Sequence, residues 1–126
     1  MPAYDSEQFA PPAPLARVLV RARNRSTSIA EASMLIDSGA DVTLLPRTCA
    51  DQLGLHVVPQ EAVLLRGFDG TDTTASVVDA ELLFLGRAFR GRFPIVDDQC
   101  GVLGRNVINH LSLVLDGPQL TWREGA

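Results

Sequence analysis

The sequence predicts an all-β domain with one or two short helices, and three observations carry that expectation. Apolar and charged residues alternate in several short runs, as from Leu15 to Arg25 and from Ala75 to Leu85, which is the period of half-exposed strands. Turn signals separate the runs at short intervals: Asn24-Arg25-Ser26-Thr27, Asp69-Gly70, Gly86-Arg87 and Asp116-Gly117-Pro118-Gln119. Only two stretches read as helices, and both are short.

Residues 1–14 are rich in Ala and Pro, with Pro11, Pro12 and Pro14 close together, and read as a flexible or extended lead-in. The domain itself is expected over residues 15–126. Leu15, Val18 and Val20 alternate with Arg17, Arg21 and Arg23 in a first strand. After the turn at residues 24–27, a second strand runs from Ile29 to Ile36. Pro46 to Gly54 reads as a short helix, because Pro suits a first helical turn and Gly a C-terminal cap. Val57 to Leu65 is the next strand. Asp69-Gly70 marks a hairpin tip within residues 63–78. Ala75 to Leu85 and Ala88 to Val96 are strands about the Gly86-Arg87 turn. Asp97 to Cys100 is a polar loop. Gly101-Val102-Leu103 is a short buried strand, and Asn106 to Leu111 a short helix with Val107, Ile108 and Leu111 on one face. Leu113-Val114-Leu115 and Leu120-Thr121-Trp122 are two final strands.

The bulk numbers bound the partners. A chain of 126 residues, 46 % apolar and 21 % charged, suffices for one domain with a modest core. A net charge of −4 leaves no basic surplus to neutralise phosphates, so nucleic acid is not expected as a partner. Arginine is locally dense at Arg17, Arg21, Arg23 and Arg25, and again at Arg87, Arg90 and Arg92, which reads as solvated strand faces. No apolar run approaches membrane-spanning length, and no signal peptide is visible. Two cysteines, Cys49 and Cys100, do not make a disulfide framework and sit in no Cys/His signature. His56 and His110 have no ligand-type neighbours at metal spacing, so neither a metal nor another cofactor is expected. A cytoplasmic protein with free thiols is the expectation.

The chain centres on Ser33 to Pro46. Met34-Leu35-Ile36 reads as a buried strand; Asp37-Ser38-Gly39-Ala40 is a small-residue turn carrying an acid; Val42 to Leu45 resumes the apolar pattern until Pro46. A carboxylate between two apolar strands is costly unless it is paired, hydrogen-bonded or used.

The run Leu35-Ile36-Asp37-Ser38-Gly39-Ala40-Asp41-Val42-Thr43 resembles the active-site turn of retropepsin-like aspartic proteases. Downstream, Gly101 to Asn109 resembles the apolar-apolar-Gly-Arg-Asn/Asp segment that opens the family's C-terminal helix. The resemblance runs from about Leu15 to about Trp122. It implies a closed β-barrel, one lobe per chain, assembled as a homodimer. It implies that Asp37 is the catalytic carboxylate of an aspartic endopeptidase acting on peptides or unfolded segments. Ser38 would brace the acid across the two-fold axis, and Gly39 would give substrate backbone room. Asp41 would bind substrate backbone and pair with Arg105. Thr43 and Asn106 would tie the active-site strand to the helix. Gly67, Phe68, Asp69 and Gly70 would form a flap over peptide, and Ala40, Val42, Leu44 and Val102 would join Phe68 in lining side-chain pockets.

A single acid turn in the chain bears on assembly. Aspartic proteolysis uses two carboxylates that share a proton, one accepting from water and the other donating to the scissile carbonyl. Asp41 lies beyond the turn, too close in sequence to be the partner, so the second acid is expected from another copy of the chain. Two departures from the retroviral pattern stand out. Ala13 precedes Pro14-Leu15 where retroviral members often carry an arginine, and the flap tip is more polar than theirs. The final pair of strands resembles cellular and bacterial members, which implies a dimer sheet built from a hairpin of each chain. Read without the resemblance, Asp37 is an Asx residue capping local amides, and the rival function is a non-catalytic dimerisation or peptide-binding module.

Overall fold

The computed structural model describes residues 2–23, 27–67 and 69–125, the Gln60 side chain excepted. The turn residues Asn24, Arg25 and Ser26 and the flap residue Phe68 therefore lie outside the described residues. Strands dominate: β1 (Ala3–Asp5), β2 (Ala13–Arg21), β3 (Ala30–Ile36), β4 (Leu45–Pro46), β5 (Val57–Arg66), β6 (Asp72–Phe84), β7 (Arg87–Val96), β8 (Gly101–Leu103), β9 (Leu113–Asp116) and β10 (Thr121–Glu124). Two short helices interrupt them, α1 (Arg47–Leu53) and α2 (Arg105–Ile108).

Period-two patterning builds the core. On β2, Ala16, Val18 and Val20 are fully buried while Arg17 and Leu19 face out, and on β3 Ala30, Ala32 and Met34 turn inward. The two strands pair antiparallel from Leu15 opposite Leu35 to Val20 opposite Ala30. The long β6 pairs antiparallel with β5, β7 and the end of β2, and contributes Val78, Ala80 and Leu82. Leu45, Leu103 and Val107 complete the packed centre. Helix α1 begins after Pro46 and stops where Gly54, at φ 59°, takes the left-handed cap.

Three expectations change. The lead-in is not idle: β1 is a strand between β2 and β10. A low-complexity Pro/Ala composition conceals it, because only long-range pairing makes a strand of three residues. The closed barrel also gives way to a sheet that hydrogen bonds do not close. β4 runs for only two residues beside β7 before α1 begins, too short to carry a ladder onward. Helix α2 starts at Arg105 and ends at Ile108, and residues 109–111 follow as turn rather than helix.

The arginine-rich strands are solvated faces threaded by cross-strand ion pairs. Arg21 of β2 and Arg90 of β7 both bond the Glu81 carboxylate of β6. Arg23 and Arg92 reach Asp79 at 3.5 and 3.6 Å, and Arg92 also bonds Glu61 at 2.6 Å. Glu81 is only 4 % exposed, so its charge relies on those partners. The guanidiniums, Arg90 foremost, hold its carboxyl below the usual carboxylate range. A carboxyl lowered in the folded state contributes stability that is present above its unfolded value and lost as pH falls through its folded one. Glu81→Gln is therefore expected to lower the melting temperature at pH 7, with the gap to the unmodified chain narrowing below about pH 4. Thermal unfolding at both pH values checks this.

Candidate active site

Asp37 leaves the end of β3 at the point where β8 lies alongside. β8 runs parallel to β3, with Met34, Leu35 and Ile36 opposite Gly101, Val102 and Leu103. On the other flank of β8, Leu44 and Val102 exchange backbone hydrogen bonds of 2.8 and 2.9 Å. The short strand thus lies between the chain entering the acid turn and the chain leaving it. Two glycines permit that insertion. A Cβ on Gly101 would fall 2.5 Å from the Leu44 carbonyl oxygen, and one on Gly104 would overlap the Val42 carbonyl, 2.5 Å from its carbon and 2.9 Å from the Val42 nitrogen.

The turn is fastened to residues 103–106 at successive points. The Asp37 N–H donates to Leu103 O at 3.1 Å, and the Arg105 N–H donates to Ala40 O at 2.8 Å. The Arg105 guanidinium donates to Ser38 O at 2.8 Å. Thr43, fully buried, accepts from the Gly104 N–H at 3.0 Å and donates to Asn106 Oδ1 at 2.7 Å. One hydroxyl so joins the outgoing segment to the start of α2. Thr43→Val would keep the shape but leave the buried Gly104 N–H without its acceptor. It is expected to cost about 1–3 kcal/mol in denaturant unfolding, with Thr43→Ser retaining most of the stability.

The Asp37 carboxylate is half-buried and accepts the Gly39 N–H at 2.9 Å through Oδ1. A Cβ on Gly39 would sit 3.1 Å from that oxygen, so glycine gives room to the acid itself. No described cation forms an ion pair with Asp37. Within one chain this is an Asx turn held open at a surface, a carboxylate with capacity to accept and pass a proton. Ala40, Val42, Leu44 and Val102, in the segments that hold the turn, are half-buried.

One expected contact differs. Arg105 is exposed and spends its guanidinium on Ser38 O, and Asp41 is exposed without an ion pair to it. The Ser38 carbonyl, a main-chain acceptor in the turn, takes the place at the helix start that was expected of the Asp41 carboxylate. Gly67, Asp69 and Gly70 lie at the exposed tip joining β5 and β6, and among the described residues no hydrogen bond links that tip to the acid turn. The tip is internally braced. Asp69 Oδ1 accepts the Thr71 hydroxyl at 2.7 Å and its N–H at 3.0 Å, which lowers the Asp69 carboxyl. Gly70 takes φ 81°, a conformation that suits glycine.

Sequence reasoning passed over the structural part played by Gly101 and Gly104. Their signal was present as two glycines bracketing the apolar pair Val102-Leu103. Cys49 and Cys100 are buried and form no disulfide, and burial pushes both thiols up, that of Cys49 to about 11, so neither is an activated nucleophile.

Comparisons with known proteins agree with this geometry. The family model described as aspartyl protease matches residues 26–107. The structure of EIAV protease complexed with the inhibitor HBY-793 aligns with a TM-score of 0.62 at 20 % identity, covering 78 % of this chain and 86 % of that one. Curated protein sequences give no match. An acid turn clasped between two strands and a helix start, in a sheet shared with a retroviral protease, agrees with the family match over residues 26–107: the chain belongs to the aspartyl protease family, in its retropepsin-like form.

Proposed function

We propose that the protein is an aspartic endopeptidase that acts as a homodimer on peptides or unfolded protein segments. The observation that carries the reading is the single Asp37 turn, half-buried, without a cationic partner among the described residues and fixed by its bonds to residues 103–106. One such carboxylate takes a proton from water. The other, still protonated, donates to the scissile carbonyl oxygen. Water adds to the carbonyl carbon, the C–N bond breaks, and the leaving nitrogen takes up a proton. Two like charges a few ångströms apart cannot both ionise, which fixes one acid and one base in the pair.

Gly39 and the half-buried residues Ala40, Val42, Leu44 and Val102 would bed the substrate, favouring apolar side chains beside the cut. Ser38 would brace the two turns, and Asp41, free of Arg105, would meet the substrate backbone. The β5–β6 tip, with Gly67, Phe68, Asp69 and Gly70, would close over the peptide and exclude water. The two cysteines, free of disulfides, fit a cytoplasmic setting.

Concentration dependence tests the dimer. Specific cleavage of an unstructured protein is expected to rise with enzyme concentration in the dilute range and to fall when excess Asp37→Asn chain is mixed in. Activity strictly proportional to concentration and indifferent to inactive copies would end the proposal.

A further inference from the structure

The solvent face of the sheet divides into two halves. Around Glu81 the arginines are matched by carboxylates: Arg21 and Arg90 bond Glu81 itself, and Arg92 bonds Glu61. Beside it the face turns apolar. Leu15, Arg17 and Leu19 alternate with the buried residues of β2 and so share that face, and Leu83 of β6 stands opposite Leu19. These residues line a groove of about 1020 Å³, bounded by the turn after β6 on one side and by β1 and Trp122 on the other. Leu19 is 40 % exposed there.

The groove is a gap in the sheet. Along the edge of β2 that does not face β3, β1 covers residues 13–15 and β6 covers residues 19–21. Among the described residues, no strand pairs with residues 16–18 on that edge. The Leu15 carbonyl points to that edge, because it accepts Trp122 Nε1 at 2.9 Å. Period two turns the Arg17 main chain the same way, into the gap. β6 does not continue across it, because Leu85 and Gly86, at φ 50° and 75°, turn the chain into β7.

Charge selects what fits. Arg17 is loosely matched: its guanidinium lies 3.8 Å from Glu31, and both side chains are more than half exposed. The Arg87 guanidinium donates to His110 O at 2.8 Å, a carbonyl without formal charge, and no described carboxylate pairs with it. Among the described residues that wall the groove, Asp5 is the one acid, and it accepts the Glu7 and Gln8 N–H groups at 3.3 and 3.1 Å. Two guanidinium charges beside an apolar floor are thus left for a ligand that brings its own carboxylates.

We propose that this groove is a docking site for an extended, apolar polypeptide segment that carries carboxylates, a part of the substrate away from the cut; in taking its ligand from the substrate, the inference rests on the proposed function. Apolar side chains would lie on Leu15, Leu19 and Leu83, carboxylates would meet Arg17 and Arg87, and the segment's main chain would bond the open Arg17 edge. None of these residues belongs to the Asp37 turn or to the segment that fastens it. β2 separates the groove from β3, which ends at that turn. A long substrate therefore has two places to bind, and a short one only the acid turn.

Binding is read first on the Asp37→Asn chain, which leaves the probe uncut. A short blocked peptide of leucine, alanine and glutamate is expected to change the emission of Trp122, the chain's single tryptophan and a wall of the groove. It should bind at least about tenfold tighter than its lysine counterpart. Arg17→Glu should remove that preference and Arg17→Lys should keep it; the Arg17 side chain is 77 % exposed, so neither change threatens the fold. With Asp37 intact, Arg17→Glu is expected to raise KM at least about tenfold for an unstructured protein containing such a segment, with kcat unchanged, and to leave a short peptide's KM where it was. Equal binding of the two peptides, indifference to Arg17→Glu, or a KM that moves alike for long and short substrates would overturn the docking site. A groove that takes laurate and refuses the glutamate peptide would overturn the polypeptide occupant. Selective peptide binding by a chain that cleaves nothing would support the site while ending the proposed function, and with it the substrate as the source of the ligand.

Discussion

Asp37→Asn is expected to reduce cleavage of an unstructured protein by at least about a thousand-fold, with folding stability unchanged or slightly raised. The carboxamide is nearly the same shape, and its oxygen can still accept the Gly39 N–H, so the turn has no reason to move. What disappears is a group able to take a proton from water and return it. In a symmetric pair both carboxylates vanish at once, and the remaining amides cannot exchange the proton between them. Neutral amides also remove the cost of holding an ionised carboxylate beside a second carboxyl in a half-buried site, which is why stability should not fall. Parallel measurement of cleavage and of the melting temperature separates the two effects. A variant that cleaves as well as the unmodified chain would show that Asp37 is only a turn residue.

Gly104→Ala is expected to destabilise the fold by about 3 kcal/mol or more. The added methyl would meet the main chain of Val42 rather than a side chain that can swing aside. Main chain yields only by moving the segment, and this segment carries Thr43, whose hydroxyl accepts the Gly104 N–H. Domains of this size have total stabilities of about 5–15 kcal/mol, so the loss is a large share of the whole. Activity should fall with it, because the displaced segment is the outgoing arm of the Asp37 turn. Gly117→Ala, where nothing lies within 4 Å, serves as the control and should stay within about 0.5 kcal/mol. Urea unfolding of both variants decides the matter.

What the sequence made legible was local. The alternation on β2, the helix between Pro46 and Gly54 and the hairpin at Asp69-Gly70 are each written in a few neighbouring residues. The acid turn was legible because an ionisable residue between apolar runs is expensive unless used. What was not legible depends on partners far along the chain. The insertion of β8 between β3 and residue 44 pairs segments some sixty residues apart, and parallel pairing leaves no hairpin signal. The same holds for β1, whose three residues gain strand geometry only from β2 and β10. Arg105 shows a subtler limit. Its place beside the acid turn was readable, but its partner is the Ser38 carbonyl rather than Asp41, and main-chain acceptors leave no mark in a sequence. The turn after β6 centres on Leu85 and Gly86, both with positive φ, one residue earlier than the Gly86-Arg87 signal suggests.

The separation of the two Asp37 side chains in a crystal of the assembled protein tests the proposed chemistry most directly. Two copies should place those carboxylates within hydrogen-bonding distance across their shared axis. Copies that associate through some other face, each Asp37 standing alone against solvent or an unrelated group, would contradict the hydrolytic reading.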